Sequence, residues 1–184
     1  MKFQKFEPKY LDDLIQLSDE NFGKNYFTKE ALMRYHENAT DTIDIIVDNG
    51  KAIAMNLVMT VHVNSLGNHL LKGLDQIVDL FPNNSFIHLH KAFTIIKPLR
   101  HKEPGVQLFR YTESKLNEIS PFWLSVGWSK DANLTPHPLL LKFDMSPTII
   151  IPNYWYDDSL QKNFDCEYCG KPPCTCNAVL YTKR

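Results

Sequence analysis

Apolar residues near the start of this chain recur at the spacing of an α-helix. Leu11, Leu14 and Ile15 are three and four positions apart, which predicts a helix over residues 8–21. A second helix is expected after Thr28, because a threonine followed by an acidic residue in the first turn is a favourable helix N-terminus.

The apolar spacing then changes from helical to alternating. Residues 43–47 and 53–63 place apolar side chains at every second position, as a strand with one buried face does. Asn49 and Gly50 lie between the two runs. Asn-Gly is the pair that a two-residue type I′ turn favours, because both of its central residues need positive φ. The pattern predicts a β-hairpin.

A charged side chain interrupts another long alternating run, at residues 86–96. In a regular strand Ile87, Leu89 and Phe93 share one face, but Lys91 falls among them in the same register. The lysine indicates either a β-bulge, which inserts one extra residue, or a lysine that faces solvent at the sheet edge.

The remaining segments repeat these patterns. Helical spacing occurs within residues 64–85, where a proline ends the run, and again over residues 105–119. A short helix is expected from Pro138, and Asp, Asn and Pro residues predict a loop at residues 129–138. The other predicted strands are residues 2–6, 122–128, 148–151 and 178–182.

Together these elements predict one α/β domain of the α+β type over residues 1–184. Hairpin strands surround a β-α-β unit, so the expected architecture is a mixed, mostly antiparallel central sheet with helices on both faces. A chain of 184 residues has the size of a single domain. Residues 153–177 are expected to form a cysteine-containing loop between the last two strands.

Composition narrows the classes of partner. The 20 Lys and Arg against 21 Asp and Glu give a net charge of −1. This balance argues against a nucleic-acid partner, because nucleic-acid-binding domains carry a basic excess. The first residues lack the apolar core of a signal peptide, and no run approaches the ~18 apolar residues of a membrane span. We therefore expect a cytoplasmic protein with no membrane partner and leave its oligomeric state open.

One loop carries a resemblance to a known family. Residues 100–105 (RHKEPG) lie between a predicted strand and a predicted helix, with Arg100 and Gly105 at the two ends. Together with the order of the elements, this loop resembles the Arg/Gln-x-x-Gly-x-Gly/Ala segment of the GNAT acyltransferases, with Glu103 in place of the first glycine. The resemblance covers about residues 1–152. It implies the GNAT fold, acetyl-CoA as co-substrate and transfer of an acetyl group to an amine.

The resemblance places the coenzyme A pyrophosphate at this loop. Free N–H groups in the first turn of a helix and the helix dipole bind anions, and glycine lets the backbone approach closely. The alternative is an ordinary connection between a strand and a helix, whose charges are solvated. The residues expected to bind acetyl-CoA are Ile95, Ile96, Lys97, Arg100, His101, Lys102, Glu103, Pro104, Gly105 and Val106.

The resemblance also implies that the acceptor amine attacks the thioester directly, aided by a general base near the fourth strand. His88 and His90 are the candidate bases, since both lie on one face of this strand; the alternative is that they simply occupy a polar sheet face. The family's acidic tyrosine is replaced near Leu140, and Tyr154 or Tyr156 is the nearest substitute. The acceptor is expected to be a small-molecule or peptide amine. The alternative function is a zinc-containing binding module that does not catalyse.

All four cysteines lie near the end of the chain, at Cys166, Cys169, Cys174 and Cys176. Four thiolates close a tetrahedral structural zinc site, and the Cys-x-x-Cys-Gly half is typical of a zinc knuckle. The alternatives are a redox-active pair and four reduced thiols in a loop. Four protein ligands leave a zinc ion no open position for catalysis. A bound zinc is therefore expected to order the loop, which in turn forms one wall of the acceptor site.

Overall fold

The computed structural model describes residues 1–130 and 137–184, with Leu74 described by its backbone alone. The strands are β1 (Lys2–Lys5), β2 (Asp41–Asp48), β3 (Lys51–His62), β4 (Phe86–Ile95), β5 (Trp123–Ser129), β6 (Ser146–Ile151) and β7 (Asn177–Lys183). The described residues form one seven-stranded sheet in the order β1-β2-β3-β4-β5-β7-β6. Neighbouring strands are antiparallel, except for the parallel pair β4 and β5.

Helices cover both faces of this sheet. They are α1 (Leu11–Asn21), α2 (Lys29–Glu37), α3 (Leu74–Ile77), α4 (Glu103–Leu116), α5 (Pro138–Leu141) and α6 (Tyr156–Lys162). α1 and α2 pack on one face in a core that includes Leu14 and Leu32, whereas α4 and α5 pack on the other around Phe109 and Leu140. The predicted α+β class, with a mixed and mostly antiparallel sheet, is confirmed. None of the helices within the described ranges has the length and apolar character needed to cross a bilayer.

The predicted turn of the first hairpin and the predicted N-cap of the second helix are confirmed. Asn49 and Gly50 have φ angles of 48° and 79°, the positive values that a type I′ turn requires. Thr28 caps α2, since its side-chain oxygen accepts a hydrogen bond from the Ala31 N–H at 3.2 Å.

A β-bulge at Lys91 interrupts β4. Leu57 of β3 pairs with Ala92 and the next residue, Val58, pairs with His90, so that Lys91 is the extra residue of the bulge. The bulge is therefore the correct interpretation of this lysine, and a regular strand with a lysine at the sheet edge is not.

The bulge inverts the alternation of β4. His90 and Phe93 are three positions apart, which places them on opposite faces of a regular strand. Both rings nevertheless contact Phe109 of α4, at centroid distances of 5.1 and 6.5 Å. A regular strand would place Phe93 on the face of Ile87 and Leu89, but the inserted residue shifts the register by one, so Phe93 lies on the opposite face.

β4 and β5 separate beyond the bulge. Their parallel register runs from the pair His88 and Trp123 to the pair His90 and Ser125, while both strands continue for several residues. The edge of β4 that faces β5 then has no strand partner among the described residues. A cleft opens between the two strands at this point.

Residues 64–85 differ from their prediction. They form 3-10 turns and the four-residue helix α3 rather than one helix across the apolar run. Gly73 explains the break, because it has a φ of +85° and a Cβ at this position would lie 2.1 Å from the Ile151 side chain. The chain therefore turns at a point where a helix would continue.

The segment that joins β6 to β7 contains more regular structure than the expected loop. Helix α6 begins within it, and Asp157 and Asp158 lie in its first turn, where negative side chains interact favourably with the helix dipole. The loop predicted at residues 129–138 lies largely outside the described residues. The short helix expected from Pro138 is confirmed as α5.

Candidate functional site

The cleft between β4 and β5 opens into a cavity of about 470 Å³. Its wall combines the free edge of β4, the facing end of β5, the loop before α4, the start of α5 and the segment between β6 and β7. Small-molecule and cofactor sites usually enclose ~300–1,000 Å³, so this cavity has the size of a ligand site.

The predicted cofactor loop lies at the mouth of this cavity. Six of the residues expected to bind acetyl-CoA line it, namely Ile95, Arg100, His101, Lys102, Gly105 and Val106. The other four lie outside the cavity wall: Ile96 and Lys97 in the loop, and Glu103 and Pro104 at the start of α4. Because Glu103 is exposed and lies outside this wall, solvent screens its negative charge.

Helix α4 begins at the cavity with free backbone donors. Lys102 is its N-cap residue and makes no side-chain capping bond, and His101 before it has a φ of 62°. Among the described residues, the N–H groups of His101 and Glu103 have no backbone acceptor. The Gly105 N–H bonds the Lys102 carbonyl at 3.3 Å. Free donors and the helix dipole together favour an anion at this position.

Positive side chains surround the same end of the cavity. Arg100, Lys102 and Lys142 line the wall, and Glu167 is its acidic residue within the part of the chain that is described. The Arg100 guanidinium donates a hydrogen bond to the side-chain oxygen of Asn21, at the end of α1. This bond holds the guanidinium beside the cavity. The excess of positive charge favours a polyanionic ligand such as a pyrophosphate.

His88, one of the two candidate bases, is bonded on both ring nitrogens and lies outside the cavity. Its Nε2 lies 2.8 and 3.1 Å from the carbonyl oxygens of Leu116 and Ser120, so this nitrogen carries the proton and donates. Its Nδ1 accepts from Thr60 Oγ1 at 3.0 Å. Burial lowers the pKa of His88. Since no ring nitrogen remains for a ligand, His88 connects β4 to the end of α4.

His90, the other candidate base, lies on the cavity wall. Its Nδ1 is 2.9 Å from Ser125 Oγ, and its Nε2 is buried without a partner among the described residues. Burial lowers the pKa of His90 to about 3. Moving a proton to it from an ammonium group of pKa about 8 costs roughly 7 kcal/mol, since one pKa unit is ~1.36 kcal/mol. His90 therefore suits a neutral hydrogen-bonding role better than that of a base.

The expected proton donors do not lie at the cavity. Leu140, near the position of the family's tyrosine, is buried on the cavity wall and has no ionisable group. Tyr154 lines a separate cavity, where its hydroxyl accepts a hydrogen bond from the Leu71 N–H at 3.1 Å. Burial raises the pKa of Tyr154 to about 12. Tyr156 is exposed and lines neither cavity.

The four cysteines converge on one point. Their Sγ atoms all lie within 4.8 Å of one another, and all four are free thiols. The sulfur atoms of Cys166 and Cys176 are 3.8 Å apart, those of Cys169 and Cys174 are 3.9 Å apart, and those of Cys169 and Cys176 are 3.2 Å apart. Cys166 and Gly170 exchange backbone hydrogen bonds of 2.7 and 2.9 Å, which close the tight turn that brings the first two thiols together.

These distances fit a tetrahedral metal site. Four thiolates at ~2.3 Å from a zinc ion lie about 3.8 Å from one another, close to two of the three sulfur separations given above. The Tyr168 N–H is directed at Cys166 Sγ, at 3.4 Å, and a hydrogen bond of this kind stabilises a metal-bound thiolate. The cluster can therefore hold one zinc ion with little rearrangement.

The turn between Cys166 and Cys169 also forms part of the cavity wall. Glu167 and Tyr168 both line the cavity. The Tyr168 ring lies 6.0 Å from that of Trp128, and Lys130 Nζ lies 4.8 Å from the centre of the same tyrosine ring. Neither Glu167 nor Tyr168 was among the site residues predicted from the sequence. The available signal in the sequence was their position in a turn that is expected to form one wall of the acceptor site.

Solved N-acetyltransferases share this fold. NAA60 from Arabidopsis thaliana, in complex with acetyl-CoA, superposes with a TM-score of 0.71 at 9% identity over 99% of this chain and 97% of that one. The ribosomal-protein-S18-alanine N-acetyltransferase from Escherichia coli gives 0.64 at 9% identity over 98% and 91%. Aminoglycoside 6′-acetyltransferase type Ii gives 0.61 at 12% identity over 100% and 96%. No protein-family model and no curated protein sequence matches the chain. The chain therefore has the GNAT fold that its sequence predicts.

Proposed function

We propose that this chain is an N-acetyltransferase that transfers an acetyl group from acetyl-CoA to an amine. The observation that carries the proposal is the cavity between the diverging ends of β4 and β5, which has the N-terminus of α4 and basic side chains at its mouth. A free strand edge can bond an amide-containing arm, and a free helix N-terminus can bond a pyrophosphate. Coenzyme A carries both groups.

Acetyl-CoA binds with its pyrophosphate at the start of α4 and its pantetheine arm along the free edge of β4. Arg100 and Lys102 neutralise the phosphates, and the N–H groups of His101 and Glu103 donate hydrogen bonds to them. A Cβ on Gly105 would make ordinary van der Waals contact with the Phe93 ring, at 3.5 Å, so packing within the protein does not itself require glycine here. Pro104 removes one donor, but proline is well tolerated in the first turn of a helix.

The acceptor amine attacks the thioester carbon where β4 and β5 separate. A backbone N–H of the free β4 edge polarises the thioester carbonyl and stabilises the negative charge that develops on its oxygen. The C–N bond forms and the C–S bond breaks. The nitrogen loses a proton, and the sulfur leaves as a thiolate that is protonated to give coenzyme A.

Glu167 and Tyr168 are the residues best placed for these proton transfers. Glu167 is the carboxylate on the cavity wall among the described residues, and it accepts the proton of the acceptor ammonium directly or through water. Tyr168 carries a phenolic proton on the same wall and donates it to the thiolate. His90 stays neutral and keeps its hydrogen bond to Ser125.

Calorimetric titration of the zinc-loaded protein with acetyl-CoA tests this function. We expect Arg100→Ala to weaken binding by about tenfold or more, because it removes charge-assisted hydrogen bonds to the phosphates. Arg110→Ala, on an exposed position of α4, is the matched control and leaves the affinity unchanged. Transfer to a panel of amines is then followed by the release of thiol. A folded protein that binds no acetyl-CoA refutes the proposal.

A binding module that does not catalyse is the second candidate. The observation that favours it is Leu140, a buried apolar side chain near the position of the family's tyrosine. This alternative predicts acetyl-CoA binding that is sensitive to Arg100→Ala but no thiol release with any amine. Turnover that falls in Tyr168→Phe would rule it out.

We also propose that the cysteine cluster binds one structural zinc ion. The convergence of four thiols supports this assignment, and the metal would order the turn that carries Glu167 and Tyr168. We expect one zinc per chain by elemental analysis, and loss of the metal in the double variant Cys166→Ser/Cys169→Ser. Zinc content that is unchanged in this variant refutes the site. A metal-free protein that forms a disulfide on mild oxidation would favour the redox pair instead.

A further inference from the structure

A second cavity, of about 320 Å³, lies beside the first. Its wall combines the loop between α1 and α2, α2 itself, β4 at the bulge and the segment between β6 and β7. Four side chains belong to the walls of both cavities, namely Tyr26, Lys91, Val126 and Trp155. A small molecule bound in the second cavity therefore lies next to the point where the proposed acetyl transfer occurs.

The β-bulge places Lys91 at the boundary between the two cavities. The nearest acceptor to its Nζ is the His69 carbonyl oxygen, at 3.5 Å, which is the outer limit of a hydrogen bond. Within residues 1–130 and 137–184, no carboxylate lies within 4.0 Å of this nitrogen. Burial lowers the pKa of Lys91; Lys162 lowers it further and Asp158 opposes them.

The other charged residues of the second cavity do not supply a counter-ion for Lys91 either. Asp158 is its acidic residue in the described part of the chain, and this carboxylate already pairs with Lys162 at 2.7 Å. Arg34, an exposed residue of α2, lines the rim and has no carboxylate within 4.0 Å among the residues described. Two cations, Lys91 and Arg34, thus line one cavity without a counter-ion.

An anionic ligand would supply the negative charge that Lys91 and Arg34 lack. A half-buried ammonium group that has lost water without gaining a charged partner is unfavourable, and a carboxylate brought by a ligand would offset the loss. The rest of the wall includes the aromatic side chains of Tyr26, Tyr35 and Trp155. The cavity has the volume of a site for one small molecule, and its wall combines these aromatic rings with polar groups that include the two unpaired cations.

We propose that the second cavity binds the carboxylate of the acceptor, and that the acceptor is a small amino-carboxylate such as a free amino acid. This inference rests on the proposed acetyl transfer. Lys91 bonds the carboxylate at the boundary, and Arg34 attracts it at the rim. In an α-amino acid the amine is two bonds from the carboxylate, so an acid held by Lys91 presents its amine to the first cavity.

The test compares each free amino acid with its carboxamide in the thiol-release assay. The wild-type protein should acetylate the acids with a lower KM than the amides and than tripeptides that begin with the same residue. Lys91→Met should raise the KM for the acids by about tenfold or more, through loss of a charge-assisted hydrogen bond, and leave the KM for the amides unchanged. Lys91→Arg and Arg34→Gln are the companion variants, and Lys91→Arg should keep the preference for acids. Lys24→Met, an exposed lysine that lines neither cavity, is the control.

The outcomes distinguish failure of the carboxylate proposal from failure of the proposed acetyl transfer. Equal KM values for acids and amides, or a preference for the peptides, overturn the inference while acetyl transfer stands. If Lys91→Arg loses activity with acids and amides alike, Lys91 acts as a base and the carboxylate assignment is wrong. If no amine is acetylated, calorimetry of the amino acids with protein saturated with coenzyme A replaces the assay. Binding that Lys91→Met weakens then supports the carboxylate site but overturns the assignment of its ligand as an acetyl acceptor, and the absence of binding overturns the site as well.

Discussion

Lys115→Met tests how α4, the helix that follows the cofactor loop, is held on the sheet. Asp44 of β2 is fully buried and accepts hydrogen bonds from Lys115 Nζ at 2.6 and 2.7 Å. The Thr112 hydroxyl donates to the same carboxylate at 2.8 Å, and Asn56 of β3 donates to Thr112 Oγ1 at 3.0 Å. Two residues of α4 are thus fixed to two strands by one polar network.

The expected loss of stability follows from the burial of the two partners. Removal of one partner from a buried ion pair costs ~3–5 kcal/mol, because the other charge remains without compensation. Here the Asp44 side chain is 0% exposed but that of Lys115 is 41% exposed, so water screens part of the attraction. The bond from Thr112 also remains. We therefore expect Lys115→Met to lower the free energy of unfolding by about 2–3 kcal/mol.

Urea denaturation of the zinc-loaded protein measures this difference. The matched control is Lys29→Met, which breaks the pair between Lys29 and Asp12, where the two side chains are 55% and 84% exposed. An exposed pair of this kind contributes little to stability, because water screens the two charges. If Lys115→Met destabilises the protein no more than Lys29→Met does, Asp44 has compensation that the network does not include, and the reasoning fails. The double variant Asp44→Asn/Lys115→Met should recover part of the loss, since it leaves no buried charge.

Two further predictions concern the residues of the first cavity. His90 takes up a proton near pH 6.5 when unfolded but near 3 when folded, so the unfolded chain binds more protons between these values and stability falls as pH falls below 6.5. The free energy of unfolding changes by ~1.4 kcal/mol per pH unit for one such group. Denaturation at pH 6.5 and at pH 5 should therefore show that this free energy falls by about 2 kcal/mol less in His90→Asn than in the wild-type protein. Equal falls in the two proteins would contradict the burial of His90. Tyr168→Phe should lower kcat by about a hundredfold at unchanged acetyl-CoA affinity, with Tyr156→Phe as control. An unchanged kcat would remove Tyr168 as the proton donor.

Local signals in the sequence were sufficient for most of the sheet. The type I′ turn at Asn49 and Gly50 depends on two neighbouring residues alone, and the cap at Thr28 on the next three. The convergence of the four thiols likewise follows from their spacing. Each of these features depends on residues that are close together in the chain, so it can be predicted from a single sequence.

Features that depend on distant contacts were not predictable in the same way. Both nitrogens of His88 are occupied by groups from β3 and from the end of α4, which the spacing of residues 88 and 90 cannot show. The break before α3 depends on Ile151, far along the chain from Gly73. The second cavity combines residues from five separate segments of the chain, so its unpaired cations are apparent only in the folded protein.

The packing on both faces of the sheet also fixes the position of the bulge at Lys91. If β4 kept Lys91 but paired with β3 without a bulge, every later side chain of β4 would turn to the opposite face of the sheet. Ala92 would leave the α1 layer and Phe93 would leave the α4 layer, against the apolar packing on both sides. The apolar layers on the two faces therefore hold the bulge at this position. Deletion of Lys91 would leave the later residues on their present faces, whereas packing alone would select against other insertions or deletions in this strand.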